Sequence, residues 1–136
     1  MQGRKRVALS GGFDPIHVGH VRMIQAAAEM GDVTVIANSD EWLMRKKGYV
    51  FMKYEERQEI LNAIKGVYDV VKASDIDDTV CATLLFLMPD IFANGGDRKE
   101  GNVPEYSLCE DMGIEMKFSV GGDDKPQSSS WLIEKV

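Results

Sequence analysis

Short apolar runs alternate with amphipathic stretches along the chain, and each change of period predicts a change of element. Arg4 to Ser10 ends in the continuous apolar run Val7-Ala8-Leu9 and stops at Gly11-Gly12, the pattern of a strand buried on both faces. Val18 to Met30 then places Val18, Met23, Ile24, Ala27, Ala28 and Met30 on one helical stripe, with Gly31 as its C′ residue. Val33 to Ala37 is apolar and β-branched, a second interior strand ending at Asn38-Ser39-Asp40, where a short helix can be capped. Arg45 to Lys53 is expected to be a basic loop around Gly48. Tyr54 to Ile64 resumes the helical period through Tyr54, Arg57, Ile60, Leu61 and Ile64, and Gly66 ends it. Tyr68 to Ala73 predicts a third strand, Asp78 to Leu87 a helix stopped before Pro89, and Asp90 to Ala93 a fourth strand closing in Asn94-Gly95-Gly96-Asp97. Pro104 to Met112 predicts a helix ended by Gly113, Ile114 to Val120 a fifth strand, and Ser128 onward a last helix.

A repeating strand-helix-strand order implies a parallel sheet, because a parallel crossover needs a connection of about a dozen residues or more. The expected fold is therefore α/β, a Rossmann-like doubly wound five-stranded parallel sheet with helices on both faces. With 136 residues the chain has room for one domain, 1–136, since single domains commonly run to roughly 100–150 residues. In such sheets ligands bind beyond the carboxyl ends of the strands. The turn after the first strand, the basic loop after the second, the glycine turn after the fourth and Ser128-Ser129-Ser130 after the fifth would all rim one cleft.

Charge narrows the partners. The net charge of −6 argues against a nucleic-acid surface, which normally carries a basic stripe. Positive charge is nevertheless concentrated at Arg4-Lys5-Arg6 and Arg45-Lys46-Lys47, so a focused patch can bind a small phosphorylated molecule. The N-terminal apolar run is too short for a signal peptide or a membrane span, which leads to an expected cytoplasmic location without a membrane partner. Cys81 and Cys109 lack zinc-ligand spacing and are expected to be reduced and structural. Asp75, Asp77 and Asp78 are expected to face solvent and cap a helix rather than cage magnesium.

The sharpest chemistry lies in Ser10 to His20, SGGFDPIHVGH. Gly11 and Gly12 allow the backbone to approach a ligand, Asp14-Pro15 forces a turn, and His17 and His20 fall one helical turn apart beside Gly19. A strand-to-helix turn at the positive end of a helix dipole is a ready anion site, and two imidazoles can donate to the same phosphoryl group. Two plainer alternatives stand beside this: histidines on a helix surface, or Asp14, His17 and His20 as a zinc site. Glycine-rich flanks suit phosphate approach better than a rigid metal cage, and no protein-bound metal is expected.

GGFDPIHVGH resembles the HxGH signature of the cytidylyltransferase-like nucleotidyltransferases. The resemblance extends over nearly the whole chain: MGDVTVIANSDEWL is similar to the second strand and its Ser-Asp ending, YEERQEIL to the segment with a substrate-site arginine, PDIFANGGDR to the glycine-Asp turn, and SSSWLI to the Ser-Thr motif of the last helix. It implies transfer of a nucleoside monophosphate from CTP or ATP to a small phosphorylated acceptor, a sugar phosphate such as heptose 1-phosphate or glycerol 3-phosphate, with release of pyrophosphate. A nucleotide-binding or regulatory protein without turnover is the alternative. The implied catalytic residues are His17, His20, Lys46 and Ser129. Gly11, Gly12, Phe13, Asp14, Gly19, Gly96, Asp97, Ser128, Ser129 and Ser130 would hold the nucleotide, while Lys47, Arg57 and Arg98 would hold the acceptor. The resemblance further implies Mg²⁺ carried by the triphosphate and a homodimer. Gly12 stands where several members have Thr, and Asp123-Asp124 where the glycerol-phosphate branch has Arg. Both differences weaken the glycerol-phosphate assignment, and the heptose branch tolerates both.

Overall fold

A computed structural model describes residues 4–95, 104–118 and 120–121. Its strands are β1 (Arg6–Gly11), β2 (Asp32–Ala37), β3 (Val67–Lys72), β4 (Ile91–Ala93) and β5 (Glu115–Lys117), interleaved with helices α1 (Val18–Ala28), α2 (Asp40–Lys47), α3 (Tyr54–Asn62), α4 (Cys81–Leu87) and α5 (Tyr106–Met112). The strands form one five-stranded sheet in the order β3-β2-β1-β4-β5, and every pairing is parallel. Strand order reverses beside β1, so the crevice at a topological switch point opens where β1 ends.

The period of two along each strand divides the interior into two cores. Val7 and Leu9 of β1 and Val33, Val35 and Ala37 of β2 pack with Ile24 and Ala27 of α1 and Leu61 of α3. Ala8 and Ile36 turn to the opposite face and meet Leu84 of α4, Phe92 of β4 and Cys109 of α5. This is the doubly wound α/β architecture that the strand-helix alternation predicts. Fully burying a Val, Leu, Ile or Phe side chain is worth about 1.5–3 kcal/mol, so the central strands supply much of the folding energy. Neither cysteine forms a disulfide; Cys109 is buried, and burial pushes its thiol up to about 11.

Several boundaries differ from expectation, each for a local reason. Arg45, Lys46 and Lys47 are not in a loop but form the last turn of α2, which Gly48 closes in the left-handed region at φ 82°. Asp40 and Glu41 at its first turn and the three bases at its last complement the helix dipole. α4 starts at Cys81 rather than Asp78, because Asp78 itself has φ 66° and cannot belong to a right-handed helix. α1 ends at Ala28, and Glu29, in the right-handed region, is its C-cap. Gly31 has a different task from the one expected: a Cβ there would lie 2.1 Å from the Lys5 carbonyl oxygen, which accepts the Asp32 N–H at 2.8 Å. The expected helix from Ser128 lies outside the described residues. Among the described residues no helix is long and apolar enough to cross a membrane.

Gly31→Ala should therefore push the start of β2 off β1 and cost about 2 kcal/mol or more. Gly48→Ala, with open space around its Cβ and only a left-handed φ to oppose it, should cost about 1 kcal/mol. Urea midpoints of the two variants test this, and a Gly31 variant no weaker than the Gly48 one would refute the close-approach explanation.

Candidate active site

Where β1 ends, the chain makes a sharp turn before α1. Gly11 is the last paired residue of β1, and its carbonyl accepts the Asn38 N–H at 3.0 Å. Phe13 holds φ 54° and buries its ring 3.2 Å from the position of a Cβ on Gly11. The space beside Gly11 is thus filled by protein, while Gly12 has the Leu43 side chain at 3.2 Å. His17 is the N-cap of α1. Its Nδ1 accepts the Gly19 N–H at 3.1 Å, and the Nδ1 of His20 accepts the His17 N–H at 3.1 Å.

This is a capping box in which imidazoles replace the usual hydroxyl and carboxylate. The rings stack at 3.8 Å and 20°, and the edge of Phe13 lies 4.8 Å from His20. A ring nitrogen that accepts a backbone N–H carries no proton, so each neutral imidazole has its hydrogen on Nε2. Burial, then the neighbouring His17 and the Lys47 ammonium, lower the His20 pKa to about 3. His20 is therefore a neutral Nε2–H donor at physiological pH.

Asp14 and Arg57 hold the turn from behind. The Asp14 carboxylate is fully buried and accepts the N–H groups of Phe51 and Met52 at 2.8 and 2.5 Å, while its carbonyl accepts from Lys47 Nζ at 3.0 Å. Asp14 thereby anchors the 51–52 loop instead of facing a nucleotide. The Arg57 guanidinium is likewise fully buried. It donates to the carbonyls of Met52, Gly12 and Asn38 at 2.9, 2.8 and 2.7 Å and to Asp40 at 2.7 Å. The acceptor contact expected of Arg57 does not match this placement, because its donors are committed to backbone carbonyls and Asp40.

The two lysines diverge. Lys47 lies close enough to His20 to act on its charge, and its own pKa is lowered by burial and by Arg57 against the pull of Asp14. Lys46 instead faces Asp78 at 3.7 Å, where Arg45 also binds at 3.0 Å. Gly19 enters as a backbone donor to His17. Gly96, Asp97, Arg98, Ser128, Ser129 and Ser130 lie outside the described residues.

Gly11 and Gly12 also line a cleft of about 170 Å³. Ser10, Asn38, Trp42, Asp78, Thr79 and Glu105 are among its other lining residues. Asp75 braces it from below: contrary to the expected solvent-facing role it is buried, accepting from Asn38 Nδ2 at 3.1 Å and from the N–H and hydroxyl of Ser39 at 2.9 and 2.7 Å. Asp77 does act locally, accepting from the Thr79 N–H at 3.0 Å. The cleft residues come from five separate segments, and no spacing in the chain links them. The one-turn spacing of His17 and His20 was legible, but their reciprocal capping was not, because imidazoles stand where the capping-box signature has a hydroxyl and a carboxylate.

Fold and turn together define a doubly wound α/β domain with a glycine turn and a histidine pair at the carboxyl edge of its sheet. The family model described as cytidylyltransferase-like matches residues 8–133, and the chain belongs to that family as a nucleotidyltransferase-like domain. The bifunctional protein HldE of Citrifermentans bemidjiense is 35% identical over 99% of this chain and 28% of its own length. That of Gluconobacter oxydans is 39% identical over 82% of this chain and 23% of its own. The chain thus spans about a quarter of the length of these relatives. Among solved structures, the lipopolysaccharide core biosynthesis protein from Thermoplasma volcanium superposes with a TM-score of 0.68 at 25% identity, over 85% of this chain and 94% of that one.

Two measurements test the geometry. His20 has a folded pKa below its unfolded value, so its contribution to stability is complete above about pH 6.5 and is lost as pH falls toward about 3. His20→Gln keeps an acceptor at the third helical position and removes the titration. It should lose less stability between pH 7 and pH 4 than the parent, and equal losses in denaturant titrations would exclude His20 as the responsible group. Arg57→Lys leaves an ammonium that cannot serve all the acceptors around the guanidinium, and should lower stability by about 3 kcal/mol. An unchanged urea midpoint would show that these bonds contribute nothing net.

Proposed function

We propose that this domain transfers a nucleoside monophosphate from CTP or ATP to a small phosphorylated acceptor, releasing pyrophosphate. The observation that carries the proposal is the imidazole capping box at the end of β1. Both Nδ1 atoms are held by backbone N–H groups, and the two Nε2–H donors stand side by side at the positive end of α1. Family membership supports the same reaction type. The names of the relatives, a bifunctional HldE protein and a lipopolysaccharide core biosynthesis protein, favour a sugar phosphate such as heptose 1-phosphate over glycerol 3-phosphate.

An acceptor phosphate is already ionised at neutral pH, so the domain needs no general base. Its task is to place the acceptor oxygen in line with the α-phosphorus and to meet the charge that develops on the phosphoryl oxygens and the departing pyrophosphate. His17 and His20 donate to the α-phosphate, and Lys47 adds positive charge beside them. A neutral His20 keeps its proton and acts as a fixed dipole, the arrangement that costs no reorganisation when charge develops. Mg²⁺ is expected to be carried by the triphosphate oxygens. When bound, the ion would neutralise the β- and γ-phosphates. Lys46 and the hydroxyls of Ser128, Ser129 and Ser130 are proposed to hold those phosphates, with Gly96 and Asp97 at the ribose or base and Arg98 near the acceptor.

The test keeps the fold and removes the donors. His17→Asn preserves the N-cap acceptor and His20→Gln preserves the other half of the box. Each should reduce pyrophosphate release by about 100- to 1000-fold, the usual effect of losing one preorganised donor. Near-normal turnover in both variants would reject the mechanism. Tight nucleotide binding without pyrophosphate release for any phosphorylated acceptor would favour a silent nucleotide-binding domain.

A further inference from the structure

The segment between β3 and α4 is clipped to α2 at two points of different strength. At the start of α2 the buried Asp75 carboxylate accepts from Asn38 Nδ2 and from the N–H and hydroxyl of Ser39, which fixes that end. At the last turn of α2, Asp78 meets two cations. Arg45 donates to its Oδ1 through Nε at 3.2 Å and through a terminal nitrogen at 3.0 Å, and the same terminal nitrogen donates to the Asp75 carbonyl at 2.7 Å. Lys46 Nζ stands 3.7 Å from the other carboxylate oxygen, outside hydrogen-bond distance. Among the described residues Asp78 is the one anion paired with Lys46.

The two cations are therefore held unequally. Arg45 is fixed by hydrogen bonds to a carboxylate and a carbonyl, whereas Lys46 has a charge contact alone at the end of a flexible stem. The side chains of Lys46 and Asp78 are both nearly half exposed, and an ion pair in that setting is weak. Phosphate oxygens can draw Lys46 away without moving Asp78, because Arg45 and the bond from the Asp78 N–H to the Asp75 carbonyl keep the carboxylate in place. Asp78 also lines the cleft at Gly11 and Gly12, so the pair stands at the rim of the site rather than on a remote surface.

We infer that the Asp78 carboxylate and the outer phosphates of a nucleoside triphosphate are alternative partners for Lys46, so that Asp78 sets how tightly the domain binds a polyphosphate. Arg45 is the positioning residue that keeps Asp78 in reach and stays paired with it throughout. The inference rests on the proposed role of Lys46 at the β- and γ-phosphates and adds what that lysine must leave in order to act there. Binding through Lys46 is weakened by the ion pair that it breaks. The same pair re-forms when the polyphosphate departs, which eases release of pyrophosphate after transfer.

Binding of inorganic tripolyphosphate, measured by calorimetry at one salt concentration, reads this competition apart from turnover. Asp78→Asn tolerates the left-handed φ of 66° and removes only the charge. It should bind tripolyphosphate about two- to fivefold more tightly than the parent, the range for an exposed ion pair. AMP and CMP, which lack the outer phosphates, should bind to both proteins alike. Lys46→Met should weaken tripolyphosphate binding, and in that background Asp78→Asn should bring no gain, because no lysine is left to release. An Asp78→Asn variant that binds tripolyphosphate no more tightly, one that gains equally for the monophosphates, or a gain that survives Lys46→Met would overturn the inference while leaving the transfer reaction untouched. If the parent does not bind tripolyphosphate, or Lys46→Met binds it as the parent does, the proposed triphosphate role of Lys46 fails and the inference with it. The expected binding pattern without pyrophosphate release leaves the competition standing and counts against the transfer reaction.

Discussion

The buried guanidinium of Arg57 is the contact on which the rest of the site depends. Its hydrogen bonds reach the turn after β1 through Gly12, the end of β2 through Asn38, the start of α2 through Asp40 and the following loop through Met52. Each carbonyl would otherwise be a buried acceptor left without a partner, at about 1–3 kcal/mol apiece. A planar cation with a fixed fork of donors can satisfy several carbonyls at set angles, which an ammonium cannot. Asp14 completes the clasp from the other side by taking the Phe51 and Met52 N–H groups. The charges of Asp14 and Arg57 are thus used to hold backbone in place, and the glycine turn acquires its shape from them.

With the turn held, the helix behind it can present its first residues in one geometry. The imidazoles of His17 and His20 satisfy N–H groups that every helix leaves open at its start, and in doing so fix their own tautomers. Structure and chemistry coincide in these two side chains. The Nδ1 side stabilises α1, and the Nε2 side is the one proposed to meet a phosphate. Burial, then the neighbouring His17 and Lys47, keep His20 neutral, so its ring presents a dipole rather than an imidazolium charge.

The doubly wound sheet explains why these groups meet. β1 is central, flanked by β2 and β4, and the loops after β1 and β2 and the segment after β3 leave the sheet from the same edge. Helices α1 and α3 cover one face and α4 and α5 the other, which leaves that edge as the place where ligands can approach both cores' rims. The histidine pair and the cleft that Asp78 lines accordingly both border the glycine turn.

Hydrophobic period by itself determined the α/β alternation, the parallel sheet and the two faces, because a strand buried on both sides and an amphipathic helix leave different local patterns. SGGFDPIHVGH likewise announced its turn and its histidines, since capping and glycine chemistry act over a few residues. Roles that depend on distant partners were decided only by the tertiary structure. Asp14 and Arg57 have the composition of site residues, and burial turned them into supports. Lys46 and Lys47 are adjacent in sequence, yet the last turn of α2 sends one to the Asp78 carboxylate and the other to the Asp14 carbonyl. Asp75 became a buried acceptor because Asn38 and Ser39, more than thirty residues earlier, fold over it. Local patterns record the periodicity of burial and the needs of a helix end, whereas the assignment of a charge to ligand or to backbone depends on which donors and acceptors the fold brings within about 3 Å.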